Sequence, residues 1–244
     1  MATIHPNNDS SSNNNDDNKV NSSNTCYNFL SDYCCKPSSS RYEALTNLDI
    51  DFCNRITSSA IRAQLVYRDI EYVCAIWEKA KTGNDEDLDN IKASDKEYTL
   101  DIKKRHFNEL IGVIDKPIFF SDTKTDAQVY LWCKDNVIYI TFRGTSSIKD
   151  AFADLNFVTK EWKDKMYIHT GIYNQFLSLE SKITNELKTN PTYNLSTIVI
   201  SGHSLGAALC QIASAIYADM FTDKKIISHA YGCPRIGNIK MKRL

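Results

Sequence analysis

The sequence predicts an α/β fold in which helices flank a mostly parallel β-sheet. The short apolar run STIVIS, at 196–201, is typical of a strand that is buried on both faces. A mostly apolar stretch of helical length follows it at 205–221, and a second apolar run begins at Lys225. A strand, a helix and another strand in this order predict two parallel strands joined by a crossover helix.

The amino-terminal segment has the composition of a disordered tail. Asn, Ser and Asp make up most of it, and almost no apolar side chains lie among them. Such a segment cannot bury enough apolar surface to offset the entropy that it loses on ordering. We therefore predict a tail over residues 1–40 and one folded domain over residues 41–244.

The folded part begins with helical patterns and continues with strands. Apolar residues recur at helical spacing from Leu48 to Lys81, which predicts one long helix or two short ones. Residues 95–118 are ambiguous, although IKKRHFNELIGVI within them favours a helix. AQVYLWC and VIYITFR, which Lys134-Asp135-Asn136 joins, are rich in β-branched and aromatic residues and predict a β-hairpin.

Composition argues against several classes of function. The chain has 244 residues and a formal net charge of −1, so no overall field attracts nucleic acid, and we predict no nucleic-acid partner. No apolar stretch approaches the roughly 18 residues of a membrane-spanning helix, and no secretory signal is evident, which by default predicts a cytoplasmic protein. The eight cysteines lack metal-binding spacing, so we expect reduced thiols, with Cys210 and Cys233 as small core residues, and no metal or organic cofactor.

ISGHSLGAAL, from Ile200, contains a Gly-x-Ser-x-Gly pattern centred on Ser204. The pattern is weak alone, but a strand before the serine and a helix after it are the context that a nucleophile elbow requires. Gly202 and Gly206 suit that turn, because a side chain two residues from the serine would crowd the neighbouring strand or helix. The helix that begins at Leu205 would direct free N–H groups toward an oxyanion.

A second candidate part of the site lies upstream, where VIYITFR leads into Arg143-Gly144-Thr145. A serine hydrolase needs a second oxyanion donor from a strand-end loop on the same sheet edge, and Thr145 fits through its backbone N–H and its hydroxyl. The residues that follow have apolar side chains on one helical face, at Ile148, Ala151, Phe152 and Leu155. They predict either a short amphipathic lid or an ordinary surface helix.

From Ala127 to Asn238 the sequence resembles the class 3 (fungal-type) triacylglycerol lipases, an α/β-hydrolase family. Four segments carry the resemblance, in the family's order and at about its spacing: TFRGTSSIKDAFADLNF, HTGIYNQF, SGHSLGAALC and YGCPRIGN. The resemblance implies that Ser204 is the nucleophile, that Leu205 N–H and Thr145 form the oxyanion hole, and that residues 146–157 form a lid. It also implies a lipid or other carboxylic ester as substrate, and transient contact of the lid with a lipid surface.

The acid and the base of the family's triad have no match in this sequence. By resemblance they lie on loops well beyond YGCPRIGN, where this sequence stops, so we expect a sheet that is truncated at its carboxyl end. His203 is expected to point away from the serine, and the resemblance places His169 on a supporting strand or loop. His229 is expected about 10 Å below the catalytic edge, inside the core. None of the three is a credible base.

Three interpretations follow from these observations. The first is a serine ester hydrolase of the lipase type, whose remaining part, with the acid and the base, is encoded outside this sequence. The second is a catalytically inactive, truncated lipase homologue or a remnant that binds acyl chains. The third is a non-enzymatic α/β protein in which GHSLG is only a turn. Agreement in four separate segments disfavours the third interpretation, and we predict the first.

Overall fold

The computed structural model describes residues 50–92, 98–145, 158–163 and 165–238. The predicted tail and the predicted lid at 146–157 lie outside these residues. The proposed domain boundaries therefore stay a prediction.

Within residues 50–92 and 98–117, three helices precede the sheet, namely α1 (Ile50–Leu65), α2 (Ile70–Thr82) and α3 (Leu100–Leu110), with a short 3-10 helix at Leu88–Asn90. The predicted helical stretch is thus two helices. Asp69 caps α2 by accepting a hydrogen bond from Tyr72 N–H, and Gly83, with φ of 68°, ends it. The ambiguous segment is helical from Leu100 to Leu110, so the helix ends four residues before the end of the stretch that favoured one.

The described residues form seven strands, which are β1 (Ile118–Asp122), β2 (Ala127–Lys134), β3 (Val137–Phe142), β4 (Thr159–Lys163), β5 (Met166–His169), β6 (Thr197–His203) and β7 (Lys225–Tyr231). Five of them make one sheet in the order β1-β2-β3-β6-β7. Strand β2 pairs antiparallel with β1 and with β3, whereas β6 pairs parallel with β3 and with β7. Asp135 and Asn136 turn between β2 and β3 with φ of 52° and 59°, as a tight two-residue hairpin requires. The α/β class and the hairpin are confirmed, but the sheet is mixed, with two antiparallel and two parallel pairings, and is not mostly parallel as predicted.

Three strands and one long helix were not predicted from the sequence. Strand β1 pairs with β2 at the edge of the sheet, and β4 and β5 form a separate antiparallel hairpin. This hairpin is tied to the end of the described chain, because Ile168 bridges to Gly237 and Asn238 Nδ2 donates a hydrogen bond to Lys165 O. It leads directly into helix α4 (Thr170–Thr189).

Apolar side chains cover both faces of the sheet. Val129 and Leu131 of β2 pack with α4 and with α5 (Leu205–Met220), whereas Tyr130 and Trp132 point to the opposite face and pack with α1, α2 and α3. Strand β6 is buried on both faces, as predicted, but β7 has no buried residue. None of the helices in the described ranges combines the length and the apolarity needed to cross a membrane.

Helix α1 is held over the sheet by a buried polar network. The Arg62 guanidinium pairs with Glu109 of α3, lies 4.2 Å from the ring centroid of Tyr139, and donates to Ser59 Oγ at 2.6 Å. Ser59 Oγ in turn lies 2.5 Å from His229 Nδ1 on β7. His229 is therefore half-buried at the interface with α1, and the expectation that it lies inside the core was wrong. Strand β7 is too lightly covered to bury it.

His106 of α3 gives the fold a pH dependence. Its ring is fully buried, with Tyr72 Oη 2.9 Å from Nδ1, and burial, with smaller contributions from Arg68 and Arg105, lowers the pKa of His106 to about 3. The unfolded chain binds a proton at this residue below pH about 6.5, whereas the folded protein does not until pH about 3. The contribution of His106 to the free energy of unfolding is therefore fully present above pH about 6.5 and is lost as the pH drops toward about 3.

We expect acidification from pH about 7 to pH about 5 to lower the free energy of unfolding of both the unaltered protein and His106→Gln. The decrease should be about 2 kcal/mol larger for the unaltered protein. Urea denaturation at the two pH values measures both differences. Comparing the change with pH, rather than absolute stabilities, removes the packing cost of the substitution. Equal acid sensitivity of the two proteins would show that His106 is not held neutral by the fold.

Candidate active site

Ser204 occupies a strained turn between β6 and α5. Its φ and ψ are 56° and −123°, a backbone conformation that residues other than glycine rarely adopt. The turn is held by hydrogen bonds on both sides, since Ser204 N–H donates to Tyr231 O at 2.9 Å and Ala207 N–H donates to Ser204 O at 3.0 Å. Strain that the surrounding structure enforces is typical of functional residues.

The two glycines of the pattern let this turn pack closely. A Cβ atom on Gly202 would lie 2.9 Å from Ala207 N and nearer still to the Gly206 carbonyl group. A Cβ atom on Gly206 would lie 2.9 Å from Arg143 C and 3.0 Å from Gly144 N. All of these neighbours are backbone atoms, so no side chain can rotate to make room. The beginning of α5 therefore lies directly against β6 and against the end of β3.

Thr145 lies on the same sheet edge as Ser204. Phe142 pairs with Gly202 in the parallel register of β3 and β6, so the loop that holds Thr145 and the turn that holds Ser204 leave the sheet at the same edge. Gly144 touches the start of α5, as the contacts of Gly206 show. Thr145 Oγ1 is buried and has no hydrogen-bond partner within the described part of the chain. The loop thus brings a polar hydroxyl and a backbone N–H to the edge that carries the elbow.

Leu205 begins α5 immediately after the strained serine. Among the described residues, the first hydrogen bonds of this helix come from Ala207 N–H and Ala208 N–H to Ser204 O. Leu205 N–H precedes them and lies at the positive end of the helix dipole. Such a group suits an anion or a developing negative charge beside Ser204.

His203 faces a tyrosine that no sequence pattern singles out. Its Nδ1 lies 3.0 Å from Tyr67 Oη, and burial lowers the pKa of His203, which keeps the ring neutral at neutral pH. Tyr67 follows α1, far from His203 in the sequence, so only the fold brings the two residues together. The ring that precedes the serine is therefore engaged by Tyr67.

The other described histidines are engaged elsewhere. His169 Nδ1 accepts a hydrogen bond from Ile172 N–H at the start of α4, His106 bonds to Tyr72, and His229 bonds to Ser59. Among the described residues, none of these rings is hydrogen-bonded to Ser204. The same part of the chain holds no cluster of His, Cys, Asp or Glu that suits a metal ion, and its five cysteines are free thiols, with Cys210 buried and Cys233 half-buried.

Sequence comparison relates this chain to lipases. The family model described as "Lipase (class 3)" matches residues 139–244. The chain is 30% identical over 125 residues to a lipase of Rhizomucor miehei, which covers 47% of this chain and 33% of that protein. It is 31% identical over 134 residues to the secreted mono- and diacylglycerol lipase A of Penicillium camembertii, and this alignment covers 51% of this chain and 42% of that protein. The chain spans less than half the length of these curated relatives.

Comparison of structures gives the same fold. A propeptide complex of Rhizomucor miehei lipase superposes with a TM-score of 0.52 at 18% identity, over 95% of this chain and 69% of that one. A fungal lipase in complex with an inhibitor superposes with a TM-score of 0.50 at 19% identity, over 80% of this chain and 67% of that one. At these identities the superpositions establish an α/β-hydrolase fold and nothing finer.

Proposed function

Residues 139–244 belong to the class 3 lipase family, and from this premise we propose that the protein is a serine hydrolase that cleaves carboxylic esters, with acylglycerols as its class of substrate. One observation carries the proposal, namely the strained conformation of Ser204 between β6 and α5, with Gly202 and Gly206 packed around it. An ordinary strand-to-helix turn has no need of such a conformation at its central residue.

In the proposed reaction, Ser204 Oγ attacks the carbonyl carbon of the ester while a base removes its proton. The carbonyl oxygen becomes an oxyanion, which Leu205 N–H and the backbone N–H of Thr145 stabilise, with the unpartnered Thr145 hydroxyl as a further donor. The proton passes to the departing alcohol, which leaves an acyl group on Ser204. Water, deprotonated by the same base, then releases the fatty acid and restores the serine.

The base is the part of this mechanism that the described residues do not supply. In His203, His169, His229 and His106, Nδ1 is hydrogen-bonded to a residue other than Ser204, and none of the four rings bonds to Ser204 in the described ranges. We therefore propose that the histidine and its acidic partner come from outside the described ranges. If no such pair exists, the protein is the catalytically inactive, lipid-binding homologue that the sequence left as an alternative.

Contact with a lipid surface is part of the proposal. The inhibitor-bound fungal lipase is described as a model for interfacial activation in lipases. The lid proposed for this chain, at 146–157, follows directly after Thr145 in the sequence. The curated Penicillium relatives are secreted proteins, whereas the cytoplasmic location of this chain stays a prediction.

Hydrolysis of two substrates tests the proposed function. We expect release of fatty acid from an emulsified triacylglycerol, measured by titration at constant pH, and release of phenolate from a short-chain chromogenic ester. A rise in the triacylglycerol rate when the substrate passes its solubility limit would support the lid. Absence of hydrolysis of either ester, in a folded protein, would contradict the proposal and favour the inactive homologue.

A further inference from the structure

Tyr67 reaches the residue that precedes the proposed nucleophile. Its hydroxyl oxygen lies 3.0 Å from His203 Nδ1 and 3.4 Å from His203 O, and the two rings are 6.1 Å apart between centroids. Tyr67 belongs to the turn between α1 and α2, whereas His203 ends β6. One side chain thus links the helical layer to the backbone of the elbow.

The same hydroxyl lies against Gly144, the residue before Thr145. A Cβ atom on Gly144 would lie 2.5 Å from His203 O, 3.2 Å from Tyr67 Cζ, and nearer still to the Tyr67 hydroxyl. Gly144 is buried and is therefore packed between the tyrosine and the backbone of His203. Tyr67 touches both segments from which the oxyanion donors are proposed to come.

The pair keeps one hydrogen-bonded state over the neutral pH range. Burial raises the pKa of Tyr67, although Arg143 opposes this, so the phenol stays protonated. Burial lowers the pKa of His203, so the imidazole stays neutral. A neutral phenol and a neutral imidazole share one hydrogen bond without the cost of a buried charge.

We propose that Tyr67 is a positioning residue for the oxyanion hole. Its hydroxyl fixes the spacing between the His203-Ser204-Leu205 backbone and the Gly144-Thr145 backbone, and so makes the two N–H donors converge on one point. The inference rests on the proposed ester hydrolysis. An oxyanion hole acts through donors that are fixed before the reaction, and small displacements of a reacting geometry lower rates strongly. Tyr67 therefore acts on the transition state without touching the substrate.

Tyr67→Phe tests this inference, with Tyr72→Phe as a matched control. Both substitutions remove a phenol hydroxyl that is hydrogen-bonded to a histidine Nδ1. Tyr67 is half-buried, whereas Tyr72 is fully buried and bonds to His106, in the core among α1, α2 and α3. We expect Tyr67→Phe to lower both kcat and the rate of Ser204 labelling by a fluorophosphonate by about 10- to 100-fold, with KM nearly unchanged. Because its hydroxyl is the more deeply buried, Tyr72→Phe should lower the thermal midpoint at least as much as Tyr67→Phe and yet leave both rates unchanged.

Three results would overturn the inference, and they are distinguishable from each other. If Tyr67→Phe is labelled as fast as the unaltered protein, positioning by the hydroxyl is wrong while the proposed hydrolysis stands. If Tyr72→Phe slows labelling equally, loss of stability accounts for both effects. If the unaltered protein neither hydrolyses esters nor is labelled, the proposed function fails and the role of Tyr67 fails with it.

Discussion

Replacing Ser204 with Ala is expected to lower kcat for ester hydrolysis about 10⁶-fold. The proposed mechanism divides the reaction at an acyl-enzyme, and Ala has no oxygen that can form it. The oxyanion donors remain, so hydrolysis about 10³- to 10⁴-fold faster than in water should persist. Initial rates with a chromogenic ester measure the loss. Because Ala occupies the same backbone conformation, the thermal midpoint should change little.

Ser201→Ala is the matched control for this substitution. Ser201 lies on β6, the strand that ends directly before Ser204, is buried, and shares a 3.0 Å hydrogen bond with Thr141 Oγ1, so the change removes a buried hydroxyl three residues from the proposed nucleophile. It should cost about 1 kcal/mol of stability and leave kcat within a few-fold of the unaltered value. Equal activity of Ser204→Ala and Ser201→Ala would rule out Ser204 as the nucleophile.

Gly202→Ala is expected to destabilise the protein by about 3 kcal/mol or more. The added methyl group meets Ala207 N and the Gly206 carbonyl group, which belong to the first turn of α5 and are held by packing on the sheet. Relief requires α5 to move away from β6, which opens contacts in the main core and displaces Ser204. For a domain of this size the thermal midpoint should fall by roughly 6–12 °C, as calorimetry would measure.

Gly83→Ala separates the steric effect from the general cost of replacing a glycine. Gly83 ends α2 with φ of 68°, and a Cβ atom there would meet nothing within 4 Å. The expected cost is about 1–2 kcal/mol, from the left-handed backbone conformation alone. If Gly202→Ala were no more harmful than Gly83→Ala, the close packing of the elbow would be wrong.

The elbow was predictable from the sequence because its determinants are local. A continuous apolar run before Ser204, an apolar helix after it, and glycines at 202 and 206 specify a strand, a tight turn and a helix within one short stretch. The hairpin between β2 and β3 is similar, since Asp135 and Asn136 readily adopt the left-handed conformation that its turn needs.

Elements that depend on distant partners were not predictable. Strand β1 has only five residues, all of them half-buried, so its sequence shows no clear alternation of apolar and polar side chains. Its position at the edge of the sheet is set by pairing with β2. The β4 and β5 hairpin is short and is tied to residues 236–238. Tyr67 lies 136 residues before His203, and no pattern in one sequence connects them. His229 was misplaced because the sequence does not show how lightly β7 is covered.

Fluorophosphonate labelling of the protein as its gene encodes it, followed by mass spectrometry of the peptide that contains Ser204, tests the central claim most directly. A fluorophosphonate reacts with a serine whose hydroxyl is activated by a base, and its phosphoryl oxygen then occupies the oxyanion hole. We predict one phosphonyl group per chain, on Ser204, and none on Ser204→Ala. A folded protein that stays unlabelled, or that carries the label on another residue, would contradict the claim that Ser204 is the nucleophile.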